Sequence, residues 1–552
     1  MLNRTFEAIS SRSVFSSVEK EYKKPSIEAA VAGTWHMAWI PVSVAVSYYI
    51  GTKIGFALTP HQWPISTFWP PNALLLAAFL LVPIRMWWLL LLGVLPAHLL
   101  VQSQAGVPLS TAAGWFIGNS GEALLGAICI NWFKKSHSLF GSVHGVIVFL
   151  IFGGFVAPLV TSFIDAAVVV TTGWGRDYWM LWTTRLFSNM LATITLVPTI
   201  VMAVVNGASW VRKANPSRCL EGGLLAVGII GMSILVFGHP AESRNSVPAE
   251  MYMPLPLLLW SALRFGTGGV STSLCVVALV SIWNATHSRG PFTSGSTAEI
   301  TLALQVFLCT ITLPLMLLAA DVAERQEVEQ SLRDTSVKLI DSQERERRRI
   351  ARELHDDIGQ KLTLVGLELG KLGAECDSEI KTRLDKLSDR VGEISTTTHE
   401  LSVALHPSYL EHLGLAHALS RLCQELGQSR SLSVNVIQEG VPDRLPSDIS
   451  LCLYRVAQEA LQNVAKHSHA RTVTVRLSAN RGRLLLVVAD DGRGFDCHQE
   501  QTSGLGLTSM RERVRSVGGK IEIVSASMHG TNIEVEIPLN EPPALTFLGD
   551  PS

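Results

Sequence analysis

The segment from Glu344 to Leu362 contains a histidine that can act as a nucleophile. His355 is followed directly by Asp356 and Asp357. Neighbouring carboxylates can orient an imidazole ring and accept its proton, which a histidine needs in order to attack a phosphoryl group. Most histidines on charged helices are simply solvated, so this interpretation depends on the segments around His355.

A second group of polar residues has the spacing of a metal-nucleotide site. Glu459 and Asn463 are four residues apart on a predicted helix from Ser447 to Ser468, so they face the same way. Carboxylate and amide oxygens are ligands that suit Mg²⁺, and Glu459 could bind it directly or through a water. Lys466, on the same helix, adds a positive charge beside the phosphates of a nucleotide.

A carboxylate and two glycines follow a predicted apolar strand. Asp490 ends the run LLLVVAD and is followed by a D-G-R-G segment. The carboxylate can accept a hydrogen bond from an adenine amino group, while Gly492 and Gly494 allow the backbone to approach the ring. These residues predict an adenine pocket.

Two further glycine segments complete this set. Gly504 and Gly506 open a predicted helix whose N-terminal amides suit phosphate, and Thr531 begins the last predicted strand. Each segment alone is weak, because such glycines are common in turns. Together and in this order, they predict one nucleotide-binding site.

Composition divides the chain of 552 residues into an apolar and a charged part, so several domains are expected. Long apolar runs extend to about Ala320, and charged residues become dense from Asp321. This predicts a polytopic membrane region joined to a soluble region. The net charge of −1 gives no indication of nucleic acid binding, and no direct binding is expected. The four cysteines after residue 320 are expected to stay reduced.

Ten apolar segments are candidate membrane helices. They cover approximately residues 34–58, 68–83, 86–101, 109–133, 143–171, 178–205, 220–238, 250–264, 268–285 and 299–320. The segments at 68–83 and 250–264 are short for a span, so eight to ten spans are expected. Basic residues concentrate in alternate loops, which predicts that both termini are cytoplasmic.

Five polar residues lie inside these predicted spans, namely Asn119, Glu122, Asp165, Arg185 and Asn189. Polar and ionisable groups in a bilayer are costly, so by default they mark a ligand site, an ion path or an internal pair. For Asp165 and Arg185 the alternative is that both lie near the outer interface and extend towards water. Asn119 and Glu122 are the stronger candidates for a functional role.

The segment after the membrane region predicts a helical hairpin. Residues 321–343 continue as a stiff helical connector, and Glu375 to Glu379 form a turn. The first helix carries an apolar stripe that should be buried, composed of Ile350, Leu354, Ile358, Leu362, Val365, Leu369 and Leu372. The second helix carries a heptad, composed of Leu384, Leu387, Val391, Ile394, Thr398, Leu401 and Leu405. Two such hairpins would pair into a four-helix bundle, so a homodimer is expected.

Residues 431–539 have the mixed character of an α/β sandwich. Apolar, β-branched runs predict five strands, beginning near residues 431, 472, 483, 520 and 531. Two predicted helices, Ser447–Ser468 and Leu507–Val517, lie between them. The tail at 540–552 has the composition of a disordered segment.

Two membrane segments resemble those of the membrane-associated sensor domain at the N-termini of bacterial signalling proteins. They are Phe68–Ala73 and Leu259–Gly266, and the resemblance covers roughly residues 35–320. Pro70 and Pro71 would either interrupt a helix or, more simply, begin one at the interface.

The run ERRRIARELHDDIGQ resembles the phosphoacceptor segment of the histidine kinases that include the nitrate and hexose-phosphate sensors. The resemblance implies that His355 is phosphorylated and that Asp356 accepts the proton. It also implies that Gln360 positions a water which hydrolyses the partner's acyl phosphate. A solvated helix residue is the alternative for Gln360.

The nucleotide segments resemble the ATP-binding domain shared by histidine kinases, gyrase-type topoisomerases and a heat-shock chaperone. The resemblance implies that Asn463 holds Mg²⁺, that Asp490 and Thr531 bind the adenine of ATP, and that Gly504 and Gly506 form the hinge of a short lid. This domain accompanies the other two in a multidomain chain. The expected division is an N-terminal segment at 1–33, a membrane sensor domain at 34–320, a connector at 321–343, a dimerisation and phosphoacceptor domain at 344–408, an ATP-binding domain at 431–539, and the tail.

These resemblances imply a sensor histidine kinase of the bacterial inner membrane. Its phosphoryl group would pass to an aspartate of a separate response regulator with a helix-turn-helix output, and it would also act as a phosphatase. Two modes of sensing stay open, namely direct binding of the signal and relay through a transporter-like co-sensor. The alternative is an ATP-regulated membrane receptor or transporter-associated protein without kinase activity.

Overall fold

A computed structural model describes residues 36–60, 65–134, 138–213, 215–239, 248–292, 295–375, 378–405, 409–430, 432–442, 444–480, 482–495 and 505–539. The chain divides into two compact units, Met1–Val328 and Glu329–Ser552. The predicted tail, the N-terminal segment and most of the lid fall outside the described residues.

The described part of the first unit is helical. Its helices are α1 His36–Ala57, α2 Pro70–Leu81, α3 Trp87–Gln104, α4 Leu109–Phe133, α5 Val143–Val148, α6 Ala157–Thr171, α7 Tyr178–Lys213, α8 Pro216–Phe237 and α9 Leu255–Thr286. A π-helical segment, Phe149–Val156, joins α5 to α6. Within the described ranges, six helices are long and apolar enough to cross a membrane, and α2 is a shorter apolar helix.

Proline and glycine determine where two of these helices start or break. Pro70 and Pro71 occupy the first positions of α2, where the missing N–H costs nothing. They therefore begin a helix, which is the simpler of the two predicted alternatives. In α9, Gly266 has φ of 65° and ψ of −159°, which interrupts the helix between the predicted segments 250–264 and 268–285.

The described phosphoacceptor region is a helical hairpin. The long helix α10, Thr297–Glu353, is followed by a π-helical segment, Leu354–Gly359, and by α11, Gln360–Glu375. Helix α12, Ser378–Leu405, returns along it. The buried hydroxyl of Ser402 donates to the carbonyl of Ala351 over 2.8 Å, which ties α12 to α10.

The predicted apolar stripe of the first helix is only partly buried within one chain. Four of its residues are partly buried, namely Ile350, Leu354, Leu362 and Leu369. Ile358, Val365 and Leu372 are 42%, 44% and 52% exposed. In the heptad, Leu384, Val391, Thr398 and Leu405 are partly buried, and Leu387, Ile394 and Leu401 are exposed. The heptad therefore has one side that packs within the hairpin and one apolar side that remains uncovered in a single chain.

The C-terminal domain is an α/β sandwich whose sheet contains the five predicted strands. They are β1 Ser433–Glu439, β2 Thr472–Asn480, β3 Arg483–Asp490, β4 Lys520–Ser525 and β5 Thr531–Pro538. The sheet order is β1-β2-β3-β5-β4, with β1 parallel to β2 and the other pairs antiparallel.

Three helices form the core together with this sheet. They are α13 Tyr409–Arg430, α14 Ser447–Asn463 and α15 Leu505–Ser516. Alternate residues of β2, Val473, Val475 and Leu477, are buried against them, as expected for a sheet with one covered face. Helix α13 contributes Leu415 and Leu419 to this core, although the predicted domain began at residue 431.

We expect Ile394→Asp to disrupt the homodimer, because it places a carboxylate on the uncovered apolar side of α12. Native mass spectrometry of the detergent-solubilised protein measures the dimer fraction. Thr397→Asp, one turn along on an exposed polar position of the same helix, is the matched control and should stay dimeric. Equal dimer fractions in the two variants would contradict a dimer interface at Ile394.

Candidate functional site

His355 lies in the π-helical segment Leu354–Gly359, between α10 and α11. A continuous α-helix was predicted here. A π-helical turn holds one extra residue, and such turns are frequent at functional sites. The side chain of His355 is 60% exposed, so a large ligand can reach its ring.

The contacts of the His355 ring define which nitrogen can react. Nδ1 lies 2.9 Å from Oδ1 of Asp356. Because the carboxylate can only accept, Nδ1 carries the proton in this contact and Nε2 keeps its lone pair. The ring of His399, on α12, lies 6.1 Å from the His355 ring between centroids. The arrangement gives His355 a nucleophilic Nε2 with an oriented ring.

The other polar residues beside His355 have different surroundings. Asp357 forms an ion pair with Lys361 at 2.7 Å, four residues along the helix. Gln360 is exposed at the start of α11. Asp356 is therefore the carboxylate that contacts the imidazole, and Asp357 is engaged elsewhere.

Three charged side chains connect the start of the phosphoacceptor segment to the C-terminal domain. Glu344, on α10, accepts from Arg455 of α14 at 2.8 Å and from Arg513 of α15 at 3.4 Å. The side chains of Glu344 and Arg455 are 9% and 4% exposed. Nη2 of Arg455 also donates to the carbonyl of Leu405 at 2.5 Å. Burial lowers the pKa of Arg513, and the Glu344 carboxylate opposes that effect. These contacts are called the Glu344 ion pairs below.

The predicted Mg²⁺ residues lie on the last turns of α14. Glu459 and Asn463 are partly buried, and Lys466 is exposed in the π-helical segment Val464–Ser468 that follows. Gly506 lies directly against the carboxylate of Glu459. A Cβ atom at residue 506 would collide with Oε1 of Glu459, so only glycine fits without a shift. Glu459 and Asn463 offer oxygen donors only, so this donor set fits Mg²⁺.

The predicted adenine residues meet at one end of the sheet. Asp490 pairs with Thr531 across β3 and β5. Oδ1 of Asp490 accepts from the backbone N–H of Gly492 at 2.9 Å. The hydroxyls of Ser525 and Thr531 lie 3.0 Å apart. The three residues Asp490, Gly492 and Thr531, which are predicted to bind adenine, are therefore neighbours.

Glycines at this end allow close backbone contacts. Gly494 has φ of 59° and Gly530 has φ of 74°, in the left-handed region that favours glycine. A Cβ at Gly530 would collide with the carbonyl of Asp490. At Gly492 a Cβ would collide with Ser468, at the end of the π-helical segment that follows Asn463. These contacts bring the Asp490 end of the sheet against the helix that carries Asn463.

The two adjacent aspartates of this segment differ in their electrostatics. Burial raises the pKa of Asp490 above the usual 3.8, and the backbone N–H of Gly492 only partly offsets this. Asp491 accepts from the backbone N–H groups of Thr472 and Arg471 at 2.9 and 2.8 Å, which lowers its pKa. Asp491 therefore stabilises the local fold, whereas Asp490 remains available to a ligand.

Gly504 and the rest of the predicted lid lie outside the described residues. Gly506 is described, at the start of α15. Within the described part of the chain, no hydrogen bond or ion pair joins His355 to the nucleotide residues.

The polar residues of the membrane unit form internal pairs. Nε of Arg185 donates to Asp165 at 3.0 Å and Nη2 donates to Asn119 at 2.9 Å. Glu122 accepts from Thr161 at 2.9 Å and from Asn189 at 2.5 Å. Asp165 and Arg185 are 1% and 7% exposed at their side chains, so the structure favours an internal pair over extension to water.

Sequence reasoning missed the Glu344 ion pairs and His399. One signal was available, because Arg455 interrupts the otherwise apolar stretch LCLYRVA on α14. A charged residue on a buried helix face usually has a partner. The identity of that partner depends on tertiary packing, and no local spacing contains it.

Three family profiles match the chain. MASE1 matches residues 41–326, a histidine kinase profile matches 346–410, and the profile of histidine kinase-, DNA gyrase B- and HSP90-like ATPases matches 449–541. The MASE1 match and the six long apolar helices indicate a multi-pass membrane protein. The ATPase-type domain implies ATP binding.

Curated relatives match mainly over part of their length. Sensor histidine kinase MctS of Rhizobium johnstonii is 32% identical over 225 residues, 39% of this chain and 48% of the relative. Signal transduction histidine-protein kinase/phosphatase UhpB of Salmonella typhimurium is 30% identical over 315 residues, 55% of this chain and 60% of the relative. The chain thus spans about half to three-fifths of these relatives. A solved histidine kinase domain from Erythrobacter litoralis matches at 18% identity and a TM-score of 0.23, covering 33% of this chain and 94% of that one.

We expect Glu344→Gln to destabilise the second unit by about 3 kcal/mol, because it leaves Arg455 and Arg513 buried without their countercharge. Pulse proteolysis of the solubilised protein in increasing urea measures this loss. Glu346→Gln is the control, since Glu346 pairs with Arg349 on an exposed surface and should change stability by less than about 1 kcal/mol. Equal losses in the two variants would refute a stabilising role of the Glu344 ion pairs.

Asp490→Asn and Asp491→Asn should have opposite effects on stability at neutral pH. The raised pKa of Asp490 means that ionisation disfavours the folded state, so stability falls as the pH rises from 3.8 through the folded pKa. The lowered pKa of Asp491 means that its contribution is present above 3.8 and is lost as the pH falls through the folded pKa. Asp490→Asn should therefore raise the unfolding midpoint at pH 7, and Asp491→Asn should lower it.

The affinity for ATP should also differ between variants of Asp490 and Asp491. Asp490→Asn should weaken ATP binding by about tenfold, because the amide oxygen is an uncharged and weaker acceptor than the carboxylate and the new NH₂ group cannot accept. Asp491→Asn should leave the affinity nearly unchanged. Titration with a fluorescent ATP analogue at pH 7 measures both, and a greater loss in Asp491→Asn would reverse the assignment.

Proposed function

Because the chain belongs to the MASE1 family and carries histidine kinase and ATPase domains, we propose that it is a membrane sensor histidine kinase of a two-component system. It transfers the γ-phosphoryl group of ATP to His355 and then to an aspartate of a separate response regulator. The observation that supports this most directly is the Nδ1 contact of His355 with Asp356, which leaves Nε2 free of described partners.

The chemistry follows from that contact. Nε2 of His355 attacks the γ-phosphorus, an N–P bond forms, and the bond to the β-phosphate oxygen breaks to release ADP. Positive charge develops on the imidazole, and Asp356 stabilises it and accepts the proton from Nδ1. A fixed ring presents its lone pair in line with the leaving group, which lowers the entropic part of the barrier.

The nucleotide is held by residues of α14, β3 and β5. Asn463 binds Mg²⁺, with Glu459 as a ligand either directly or through water, and Lys466 lies beside the phosphates. Bound Mg²⁺ neutralises charge on the phosphates. Asp490 and Thr531 bind the adenine amino group and ring edge, with Gly492 and Gly494 beside the ring. Gly504 and Gly506 form the hinge of the lid over the phosphates.

The proposal extends to phosphatase activity and to partners. Gln360 is exposed beside the His355 segment and positions a water that hydrolyses the acyl phosphate of the regulator. The relative UhpB is a signal transduction histidine-protein kinase/phosphatase, which supports this extension. The regulator carries a helix-turn-helix output, and the kinase is a homodimer. Its signal is either bound directly or relayed by a transporter-like co-sensor. The protein lies in the bacterial inner membrane with both termini in the cytoplasm.

The proposed domain division is the one expected from the sequence. The membrane sensor domain covers residues 34–320, the connector 321–343, the phosphoacceptor domain 344–408 and the ATP-binding domain 431–539. The family matches at 41–326, 346–410 and 449–541 support this division.

We expect His355→Gln and Asn463→Ala to abolish the incorporation of label from γ-³²P ATP, because the first removes the nucleophile and the second the Mg²⁺ ligand. The full-length protein in nanodiscs is incubated with labelled ATP, and acid-labile protein phosphate is counted. His399→Gln is the matched control, since it removes the neighbouring imidazole, and it should retain label within about twofold.

The alternative function makes a different prediction in the same assay. An ATP-regulated receptor without kinase activity would incorporate no label, and His355→Gln would leave its signalling intact. Label that persists in His355→Gln and disappears in His399→Gln would place the phosphoryl group on His399. That result would refute His355 as the phosphorylated residue.

A further inference from the structure

The membrane unit contains a cavity of about 390 Å³, which is within the size range of small-molecule pockets, roughly 300–1,000 Å³. Its wall includes Phe56, Trp69, Trp115, Asp165, Trp174 and Arg185. The residues come from the ends of several helices and from the loops between them. The kinase chemistry uses none of them.

Aromatic side chains line the cavity in two pairs. Phe56 and Trp69 are in edge-to-face contact at 5.7 Å between ring centroids. Trp115 and Trp174 make a similar contact at 6.0 Å. These four rings offer apolar surface with which a conjugated ring can make stacked or edge-to-face contacts.

The charged groups of the wall cancel. Among the lining residues, Asp165 and Arg185 carry formal charges, and they form an ion pair at 3.0 Å. The guanidinium is fixed further by Asn119 and lies over the ring of Trp69, 5.3 Å from its centroid. Oδ1 of Asp165 has no hydrogen-bond partner among the described residues, but the carboxylate as a whole is paired with Arg185. A charged ligand would therefore add an unpaired charge to the wall, and burying such a charge is costly. The wall therefore favours an uncharged ligand.

Two hydrogen-bond donors of the wall lack acceptors. Nε1 of Trp69 and Nε1 of Trp115 are buried and have no partner among the described residues. The two side chains belong to residues that are 3% and 6% exposed. An indole N–H can only donate, so the group that satisfies it must be an acceptor.

From these three properties we propose that the cavity binds an uncharged, flat, conjugated molecule with carbonyl acceptors, the chemistry of a quinone. The ring lies between the aromatic pairs, and its carbonyl oxygens accept from the indole N–H groups of Trp69 and Trp115. Such a ligand can be a membrane quinone with an alkyl chain or a chainless quinone from the aqueous phase.

One residue connects the cavity wall to α10. Gln305, fully buried on α10, donates from Nε2 to the carbonyls of Thr67 and Thr184 at 2.9 and 3.3 Å. Thr67 and Thr184 are the chain neighbours of the wall residues Ser66 and Arg185. Helix α10 ends at Glu353, directly before the segment that carries His355. A ligand that shifts the wall therefore acts on α10 through Gln305, and this signalling step rests on the proposed function.

Binding is measured first, without ATP, by equilibrium dialysis of menadione and decylubiquinone against the full-length protein in nanodiscs. We expect saturable binding of both quinones, and Trp69→Phe and Trp115→Phe should each weaken it about tenfold by removing one donor. Trp132→Phe is the control, because Trp132 is 81% exposed and lies outside the cavity wall, and it should bind as the parent does. Matched thermal midpoints establish that the variants are folded.

The outcomes separate the two sources and the alternatives. If only decylubiquinone binds, and its binding is lost in the Trp variants, the ligand is a membrane quinone with an alkyl chain. If both quinones bind and the Trp variants weaken both equally, the site recognises the quinone ring. Nonsaturable uptake, unchanged affinity in both Trp69→Phe and Trp115→Phe, or tighter binding of 1-naphthoate than of menadione would each overturn the proposal.

Signalling is tested separately with Gln305→Leu. This variant should keep quinone binding and lose the quinone-dependent change in His355 phosphorylation. A response as large as in the parent would overturn the role of Gln305. If the parent protein is not phosphorylated at all, the proposed kinase function is refuted. The dialysis experiment would still show whether the cavity binds a quinone.

Discussion

The arrangement of the second unit depends on a buried carboxylate, Glu344, shared by two arginines. Arg455 and Arg513 come from different helices of the ATP-binding domain, and both contact this one side chain of α10. Removing a buried charge from its partners costs several kcal/mol unless another partner or water replaces it. The ion pairs therefore favour one arrangement of the phosphoacceptor helix and the catalytic domain over others.

Phosphoryl transfer places a second demand on the same elements. Under the proposed function, His355 receives the γ-phosphoryl group of a nucleotide bound at α14, yet its described contacts are with Asp356 and His399. The arrangement that the Glu344 ion pairs stabilise is thus compatible with a state in which no phosphoryl transfer occurs. Transfer to His355 requires different contacts between the phosphoacceptor helix and the nucleotide site. The exposed ring of His355 and the π-helical turn around it leave the residue free to join either set. A displacement of α10 would act on this balance because Glu344 and His355 lie on consecutive helical segments.

The sequence predicted those features that depend on local periodicity. The five strands follow from alternating apolar residues, and α2 begins at Pro70 because proline is well suited to the first helical turn. The neighbours Asp490 and Thr531 could be predicted because each stands at a strand end beside glycines. Helical spacing also placed Glu459 and Asn463 on one side of α14.

Other features depend on contacts between distant segments, which no local spacing contains. The partners of Glu344 are 111 and 169 residues away along the chain. The π-helical turn at His355 has the same apolar spacing as an α-helix to within one residue, so periodicity did not reveal it. The apolar stripe of α11 was predicted to be buried, but the covering surface must come from outside the single chain. For the apolar stripe the pattern identified the face but not its partner, and for Glu344 it identified neither.

The adjacent aspartates Asp490 and Asp491 illustrate how the site combines stability with binding. Asp491 uses backbone N–H groups of Thr472 and Arg471, so its charge is compensated by the fold itself. Asp490 is half-buried and its charge is only partly compensated, which raises its pKa and costs stability. A fully compensated Asp490 would have no hydrogen-bonding capacity left for an adenine amino group. Under the proposed function, the unfavourable surroundings of Asp490, to which the charge of Asp491 contributes, are the physical condition for binding an adenine amino group.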